Sequence, residues 1–156
     1  MTDKVRAADD AARDTARRLI DTATFAALAV LDPDTRHPSV TRIALATDAD
    51  RTPVSLISDL SMHTSALRAH PECALLVGEP TDKGDPLTHP RLTLHCCAQF
   101  IPQDVDAALR AHYLQQRPKA KLYAGFADFH FVRFTVTSGL LNAGFGKAFK
   151  LNPAET

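Results

Sequence analysis

The side chains that first suggest chemistry are four hydroxyls and an imidazole within residues 58–65, namely Ser58, Ser61, His63, Thr64 and Ser65. A short strand is predicted before them, over residues 54–57, because apolar residues there lie between Pro53 and a polar cluster. A helix is predicted after them, over residues 62–70, with Ser61 at its N-cap and Pro71 ending it. The first turn of a helix has unpaired backbone N–H groups and a partial positive charge. This group of side chains therefore suits a phosphate.

A simpler interpretation of the same residues stays open, in which Ser61 only caps the helix and His63 only faces solvent. Arg42 bears on this choice because it lies on the preceding predicted strand, and a guanidinium can hold a phosphate through two hydrogen bonds. Arg42 can equally be a solvated arginine at a strand edge. If His63 is a charged phosphate ligand, the affinity should fall between about pH 6 and 8, where a free imidazole loses its proton.

Other chemistries find little support in the sequence. Cys96 and Cys97 are adjacent on a predicted strand and point to opposite faces, and none of the seven histidines forms a His-x-x-x-His pair, so no metal site is expected. No serine lies in a Gly-x-Ser-x-Gly motif, and residues 144–149 lack the third glycine of a dinucleotide loop. No pair of carboxylates has a spacing that suggests acid–base catalysis. The catalytic residues therefore stay unassigned.

Length and composition restrict the class of protein. The chain has 156 residues and a formal net charge of zero, which favours neither a nucleic-acid partner nor a membrane surface. Three cysteines without a framework spacing indicate a reducing compartment. The sequence has no apolar run of the roughly 20 residues that a membrane span needs, and its polar N-terminus is not a secretory signal. We therefore expect a cytoplasmic protein.

The periodicity of apolar residues predicts a mainly β domain. Strands are predicted at residues 25–31, 39–46, 53–58, 73–78, 91–101 and 129–136, followed by a short strand after Gly139. Helices are predicted at residues 4–22, 62–70 and 103–116, with a further short helix from Pro118. Strands that follow one another through tight turns favour antiparallel pairing, so a small closed or split β-barrel is expected. We expect one domain over residues 1–156, with an N-terminal helix within residues 1–22 and a helical insertion at 103–124.

The order of these segments resembles the FMN-binding core of the pyridoxamine 5'-phosphate oxidase-like split-barrel family. The resemblance depends on the basic strand at residues 38–45, the hydroxyl-rich strand end and helix start at 56–67, and the apolar strand that follows Pro71. It implies an α+β, mainly β fold, a six- to seven-stranded antiparallel split β-barrel with peripheral helices.

The resemblance also implies the ligand and its contacts. FMN is the implied cofactor, and the positions that match the family's binding segments are Arg42, Ser58, Asp59, Leu60, Ser61, Met62, His63, Thr64 and Arg91. In this family the flavin lies at a two-fold interface, so we expect a homodimer. Arg91 is either a contact from the second subunit or an ordinary solvated residue at the start of its strand. Phe145 and Lys147 are the expected contacts on the side of a small-molecule substrate.

Within the family the chain is similar to the haem-utilisation branch. The segments that resemble this branch are residues 58–64, 84–87, 90–94, 123–129 and 144–148. The sequence has no tryptophan, whereas classical pyridoxamine phosphate oxidases use one at the substrate site, so vitamin B6 oxidation is not expected. Many members of the branch have an additional C-terminal domain that is missing from this sequence, so haem cleavage is not expected either.

Two classes of function remain open. The first is an FMN-dependent oxidoreductase with an unknown substrate, in which the protein supplies position and electrostatics. The second is a haem-binding, haem-utilisation or non-catalytic flavin-binding protein. His63, His89 and His130 are all candidates for a haem ligand, and their spacing does not select among them.

Overall fold

A computed structural model of the protein describes residues 5–104 and 107–156. Within these ranges the chain forms nine strands and three α-helices. The strands are β1 (Val5–Ala7), β2 (Phe25–Leu31), β3 (Pro38–Ala44), β4 (Ala46–Thr47), β5 (Pro53–Ser58), β6 (Glu72–Val77), β7 (Arg91–Ile101), β8 (Phe129–Asn142) and β9 (Ala148–Leu151). The helices are α1 (Asp10–Thr22), α2 (Met62–Ala69) and α3 (Ala107–Gln116), with a 3-10 helix at Pro118–Leu122.

The strands form one sheet that is mainly antiparallel, which confirms the expected mainly β split-barrel class. The order is β1-β9-β8-β7-β6-β2-β3, and β5 pairs with β4 and β8 outside this path. The long strand β8 pairs with β7 along one edge. Along its other edge it pairs with β5 through its first residues and with β9 through its last. This division of one edge between two partners splits the barrel.

Strand β3 pairs with β2 along one edge, and the described residues provide no hydrogen-bonded partner for its other edge. The predicted strand over residues 39–46 is interrupted at Leu45, whose N–H donates to Thr24 O at 3.0 Å. After this break, Ala46 pairs with Val54 and the chain returns as β5. A gap between β3 and the end of β5 is the result.

The beginning of the chain differs from the prediction of a helix over residues 4–22. Residues 1–4 lie outside the described part, and Val5–Ala7 form β1, which pairs in parallel with β9. Helix α1 begins only after Asp9, because the Asp9 carboxylate caps it by accepting from Ala12 N at 2.8 Å. The helix then packs its alanine-rich face on the barrel, with Ala12, Ala16 and Ile20 buried.

Two further boundaries differ from the sequence predictions. The predicted separate strands at 129–136 and after Gly139 are one continuous strand, β8. At Gly139 this strand lies against Leu151 of β9, so closely that an added Cβ would be 3.3 Å from the Leu151 side chain. In the helical insertion, Gln103 and Asp104 lie in a turn, the predicted helical residue Val105 lies outside the described residues, and α3 begins at Ala107.

The helical insertion is attached to the barrel through one arginine. Arg117 donates from Nε to Leu45 O at 2.6 Å and from Nη2 to Ala23 O at 2.8 Å. Beneath α3, a small apolar cluster includes the fully buried Tyr113, whose ring meets Phe131 edge to face at 5.3 Å. The main core lies between the barrel strands and helices α1 and α2. In the described residues, no helix is both long and apolar enough to span a membrane.

Candidate functional site

An open groove of about 250 Å³ lies at the gap between β3 and β5. Its lining comes from four parts of the chain, namely β3, the end of β5, the start of α2 and the segment from Tyr123 to Phe129. The lining residues are Arg42, Ile43, Ala44, Leu56, Ile57, Ser58, Ser61, His63, Tyr123 and Phe129. The structure therefore brings together Arg42, Ser61 and His63, as the sequence predicted.

The turn between β5 and α2 is held by hydrogen bonds within the protein. Thr64 Oγ1 donates to Ser58 O at 2.6 Å, and Ser61 N donates to the same carbonyl at 3.1 Å. Ser58 Oγ donates to Asp128 Oδ2 at 3.0 Å and accepts from Leu60 N at 3.1 Å. These bonds fix the direction in which α2 begins.

The same bonds restrict which predicted contacts have a hydroxyl available for a ligand. Thr64 is 1% exposed and its hydroxyl is used by Ser58 O, while the hydroxyl of Ser58 is used by Asp128 and Leu60. We therefore assign both hydroxyls to holding the turn. The Ser61 side chain makes no capping hydrogen bond, so its hydroxyl is available at the start of α2.

Asp59 takes part in a separate ion-pair cluster at the end of the barrel. His130 Nε2 lies 2.8 Å from Asp59 Oδ2, and Arg68 Nη2 lies 3.3 Å from Asp59 Oδ1. The Arg68 guanidinium lies over the Phe100 ring, 4.1 Å from its centroid. The hydrogen bond from His130 is the main cause that lowers the pKa of Asp59. The carboxylate is thus already engaged by His130 and Arg68 of the protein.

His63 and Arg42 are the basic side chains of the groove. Burial lowers the pKa of the half-buried His63 below 6.5, so the imidazole is neutral at neutral pH. His63 was expected to lose its positive charge between about pH 6 and 8. In the absence of an anion, the lowered pKa means that this deprotonation occurs at lower pH. Arg42 is exposed on β3, and its guanidinium carbon lies 5.1 Å from the centroid of the Phe25 ring.

An aromatic wall, which the sequence analysis did not assign to the site, faces these polar residues. The rings of Tyr123 and Phe129 pack at 4.7 Å with an interplanar angle of 37°, and Phe126 meets Phe129 at 6.2 Å. We call four large apolar side chains the rim, each of them exposed and within three residues of a lining residue in the chain, namely Leu60 at 90%, Met62 at 43%, Leu122 at 81% and Phe126 at 56%. The groove therefore combines an apolar wall and rim with a basic, hydroxyl-bearing end.

Seven predicted contacts are not among the lining residues of the groove, namely Asp59, Leu60, Met62, Thr64, Arg91, Phe145 and Lys147, and the last three lie in other parts of the chain. Arg91 begins β7 and donates from Nη1 to Leu87 O at 3.1 Å. Phe145 and Lys147 lie in the exposed turn between β8 and β9, where Phe145 is 92% exposed. Their roles stay predictions.

The described residues contain no group of three or more His, Cys, Asp and Glu side chains that could hold a metal ion. The three cysteines are free thiols, and burial raises the pKa of Cys73 to about 12 and also raises the pKa of Cys96. Both thiols are therefore protonated and unreactive at neutral pH.

Comparison with known proteins agrees with the fold and with the resemblance. No protein-family model matches the sequence. The chain superposes on a putative pyridoxamine 5'-phosphate oxidase from Listeria innocua with a TM-score of 0.65, covering 85% of this chain and 98% of that one at 12% identity. The chain thus has the split-barrel fold of this pyridoxamine 5'-phosphate oxidase-like structure.

Two further similarities are to proteins that are named for haem. The chain superposes on a heme binding protein from Mycobacterium smegmatis with a TM-score of 0.84 and 24% identity, over 95% of this chain and 60% of that chain. In sequence, it is 39% identical over 98 residues to the chloroplastic "Non-canonical heme oxygenase HOZ" of Arabidopsis thaliana. That alignment covers 62% of this chain and 29% of the plant protein.

Proposed function

We propose that the protein binds haem in the groove between β3 and β5. The observation that best supports this is the composition of the groove, whose lining combines a packed aromatic pair with an imidazole and an arginine. A flat apolar macrocycle with two carboxylates needs both kinds of surface. The 39% identity to a plant heme oxygenase over 98 residues supports the same ligand, and because the alignment covers 29% of that protein we propose binding rather than its whole activity.

Each part of the groove has a task in this proposal. The Tyr123–Phe129 pair and the rim residues Leu60 and Met62 would exclude water from the macrocycle. Arg42 and the Ser61 hydroxyl would hold its carboxylates beside the positive end of α2. Haem would supply redox chemistry at iron, and the protein would determine its position and solvent access.

The groove alone encloses too little space for a whole ligand. Its volume of about 250 Å³ lies below the roughly 300–1,000 Å³ of complete ligand pockets. We therefore propose a homodimer in which the second subunit covers the open side, with Arg91, Phe145 and Lys147 approaching the groove of the partner.

The outer face of β2, β3 and β6 is the surface we propose for this dimer. Ala27 lies between Arg42 and Leu76 in the sheet, and Ala29 lies between Val40 and Ala74. Val40 is 68% exposed and Leu76 is 43% exposed, so the face combines small residues with exposed apolar ones beside Arg42. An exposed apolar face of this kind is typical of a protein interface. A Val40→Asp variant should shift the sedimentation profile from dimer to monomer, whereas an unchanged profile would refute this interface.

FMN is the second candidate, and with it an oxidoreductase acting on a small molecule. The observation that favours FMN is the start of α2, where the free Ser61 hydroxyl and Arg42 suit a phosphate as well as a carboxylate. FMN would supply a hydride acceptor, while the aromatic wall would support its ring.

The deciding experiment is a pair of titrations of the purified full-length protein with haemin and with FMN, followed by absorption. We expect haemin to saturate at one equivalent per chain, with a sharpened Soret band. The variant Ala44→Phe fills the groove from β3 and should abolish this uptake, while Ala111→Phe, at an exposed position on α3, tests for a general effect of bulk. Saturation by FMN alone, or full haemin uptake by Ala44→Phe, would refute the proposal.

A further inference from the structure

We infer that His63 is the side chain that ligates the iron of haem in the groove, an inference that rests on the function proposed above. The two parts of the proposal fail differently, because haem can be bound by the apolar wall and Arg42 without any ligand from His63. The argument depends on the position of this imidazole, on its missing hydrogen bonds and on the contacts of the other histidines.

The backbone at His63 is fixed by the structure around it. His63 is the second residue of α2, after the N-cap Ser61. On either side of it, Ser61 N and Thr64 Oγ1 both donate to Ser58 O, at 3.1 and 2.6 Å. The imidazole is consequently presented to the groove from a rigid helix start rather than from a loop, which is what a metal ligand needs for defined geometry.

The His63 ring has no partner within the described part of the protein. It is half-buried and lines the groove, yet neither ring nitrogen makes a hydrogen bond to the described residues. A half-buried imidazole without a partner loses hydration and gains nothing in return.

The two other histidines that the sequence offered as ligands are engaged elsewhere. His130 Nε2 is 2.8 Å from Asp59 Oδ2, and its ring meets Phe100 edge to face at 6.5 Å. His89 Nε2 is 2.8 Å from Lys83 O, in the loop before β7. Neither ring lines the groove.

The remaining histidines are placed away from the groove. His95 bonds Ser138 Oγ at 3.0 Å on the outer face, and His112 lines a separate depression with Asp48 and Arg133. His70 follows the last turn of α2, at the opposite end of the helix from the groove, and His37 is exposed in the turn before β3. Within the described residues, His63 is therefore the histidine that lines the groove together with the aromatic wall and Arg42.

The surroundings of His63 also predict how strongly its imidazole would bind the iron. Histidines that ligate metals commonly donate their second N–H to a carboxylate, which makes the ring more basic. His63 has no such acceptor in the described part of the chain, so we expect a ligand of ordinary imidazole strength. Free imidazole should then be able to take its place when the side chain is removed.

The test uses full-length protein loaded with haemin, in the wild type and in the variants His63→Gly, His63→Gln, His89→Gln and His130→Gln. The measurements are the Soret and visible bands, the iron–histidine stretching band of the ferrous form in resonance Raman spectra, and the dissociation constant for haemin. We expect both His63 variants to lose the iron–histidine band and to bind haemin at least about tenfold more weakly, because removing a ligand costs at least as much as removing its outer partner. Added imidazole should restore the spectrum of His63→Gly, whereas His89→Gln and His130→Gln should keep the wild-type spectrum.

The outcomes separate the two proposals. If the wild type binds haemin and its histidine signature survives in both His63 variants, or disappears in His89→Gln or His130→Gln, the assignment of His63 is wrong while haem binding stands. If the wild type does not bind haemin, the proposed function itself is wrong, and the assignment falls with it. Circular dichroism of His63→Gln checks that the helix start is intact, since glutamine is compatible with a helix and glycine is less so.

Discussion

Replacing Arg42 with glutamine should weaken ligands that have an acidic group and should leave their neutral analogues unaffected. Arg42 lines the basic end of the groove, and its guanidinium is otherwise engaged with the Phe25 ring at 5.1 Å. That contact leaves the N–H edges of the guanidinium available to an anion. The charge of the groove, rather than its shape, is therefore what Arg42→Gln changes.

The expected magnitude follows from the exposure of Arg42. A surface ion pair contributes about 0.2–1 kcal/mol, and a hydrogen bond to a charged group contributes about 1.5–3 kcal/mol once water is excluded. Arg42 is exposed in the free chain and would be partly covered by a ligand, so we expect about 1–2 kcal/mol, or roughly 5- to 30-fold in Kd.

The assay is a thermodynamic cycle between protein and ligand. The dissociation constants of haemin and its dimethyl ester are measured in the wild type and in Arg42→Gln, and the same is done for FMN and riboflavin. Only the acidic ligand of each pair should lose affinity. Arg18→Gln, an exposed position on α1, controls for the change in net charge. Equal losses for acid and ester, or none for either, would refute the idea that Arg42 binds the anionic end.

Three further changes test how the groove is built. Arg117→Ala removes two hydrogen bonds from the guanidinium to Leu45 O and Ala23 O, so its urea-unfolding free energy should fall by about 2–4 kcal/mol, whereas the exposed Lys119→Ala should change little. Thr64→Val should lower the free energy of unfolding by about 1–2 kcal/mol because it removes the hydrogen bond to Ser58 O. Ser61→Ala should change the free energy of unfolding by no more than about 0.5 kcal/mol because the Ser61 side chain makes no capping bond. A larger loss in Ser61→Ala would contradict this. Because the folded pKa of Asp59 is lowered, mainly by His130, its stabilisation is present above the unfolded pKa of about 3.8 and disappears as pH falls through the folded value. Acid titrations of Asp59→Asn should therefore show less loss of stability below about pH 4 than the wild type, and identical acid profiles would exclude this contribution.

The polar half of the groove could be predicted from sequence because it depends on local rules. A strand that ends in a polar turn and continues into a capped helix brings Ser61 and His63 to one place, and Arg42 lies on the preceding strand of the same meander. The same rules gave the boundaries of β2 and β7. They did not reveal that the hydroxyls of Ser58 and Thr64 are used within the turn, because residue type does not say which hydrogen bond a hydroxyl makes.

The apolar half could not be predicted in this way. Tyr123 and Phe129 lie more than 60 residues after Ser61 in the sequence, and their place in the groove depends on how the helical insertion is attached to the barrel. The spacing of Tyr123, Phe126 and Phe129 was the available signal, but equal spacing also describes a core. Strand β1 was missed for a related reason. Its three residues are extended because of parallel pairing with β9, a partner more than 140 residues away.

The position of the groove follows from the incomplete hydrogen bonding of the barrel. Within the described residues β3 has a strand partner on one side only, and the groove opens on its other side, between Arg42 on β3 and the helix start that follows β5. A ligand that contacts Arg42, His63 and Phe129 at once would connect the two sides of this gap. Such a ligand binds the folded state and has no comparable site in the unfolded chain, so it must stabilise the fold in proportion to RT ln(1 + [L]/Kd). Because β3 lies at the open edge, hydrogen exchange should slow most in its backbone and at the start of α2 when the ligand binds, whereas protection confined to α3 would place the ligand elsewhere.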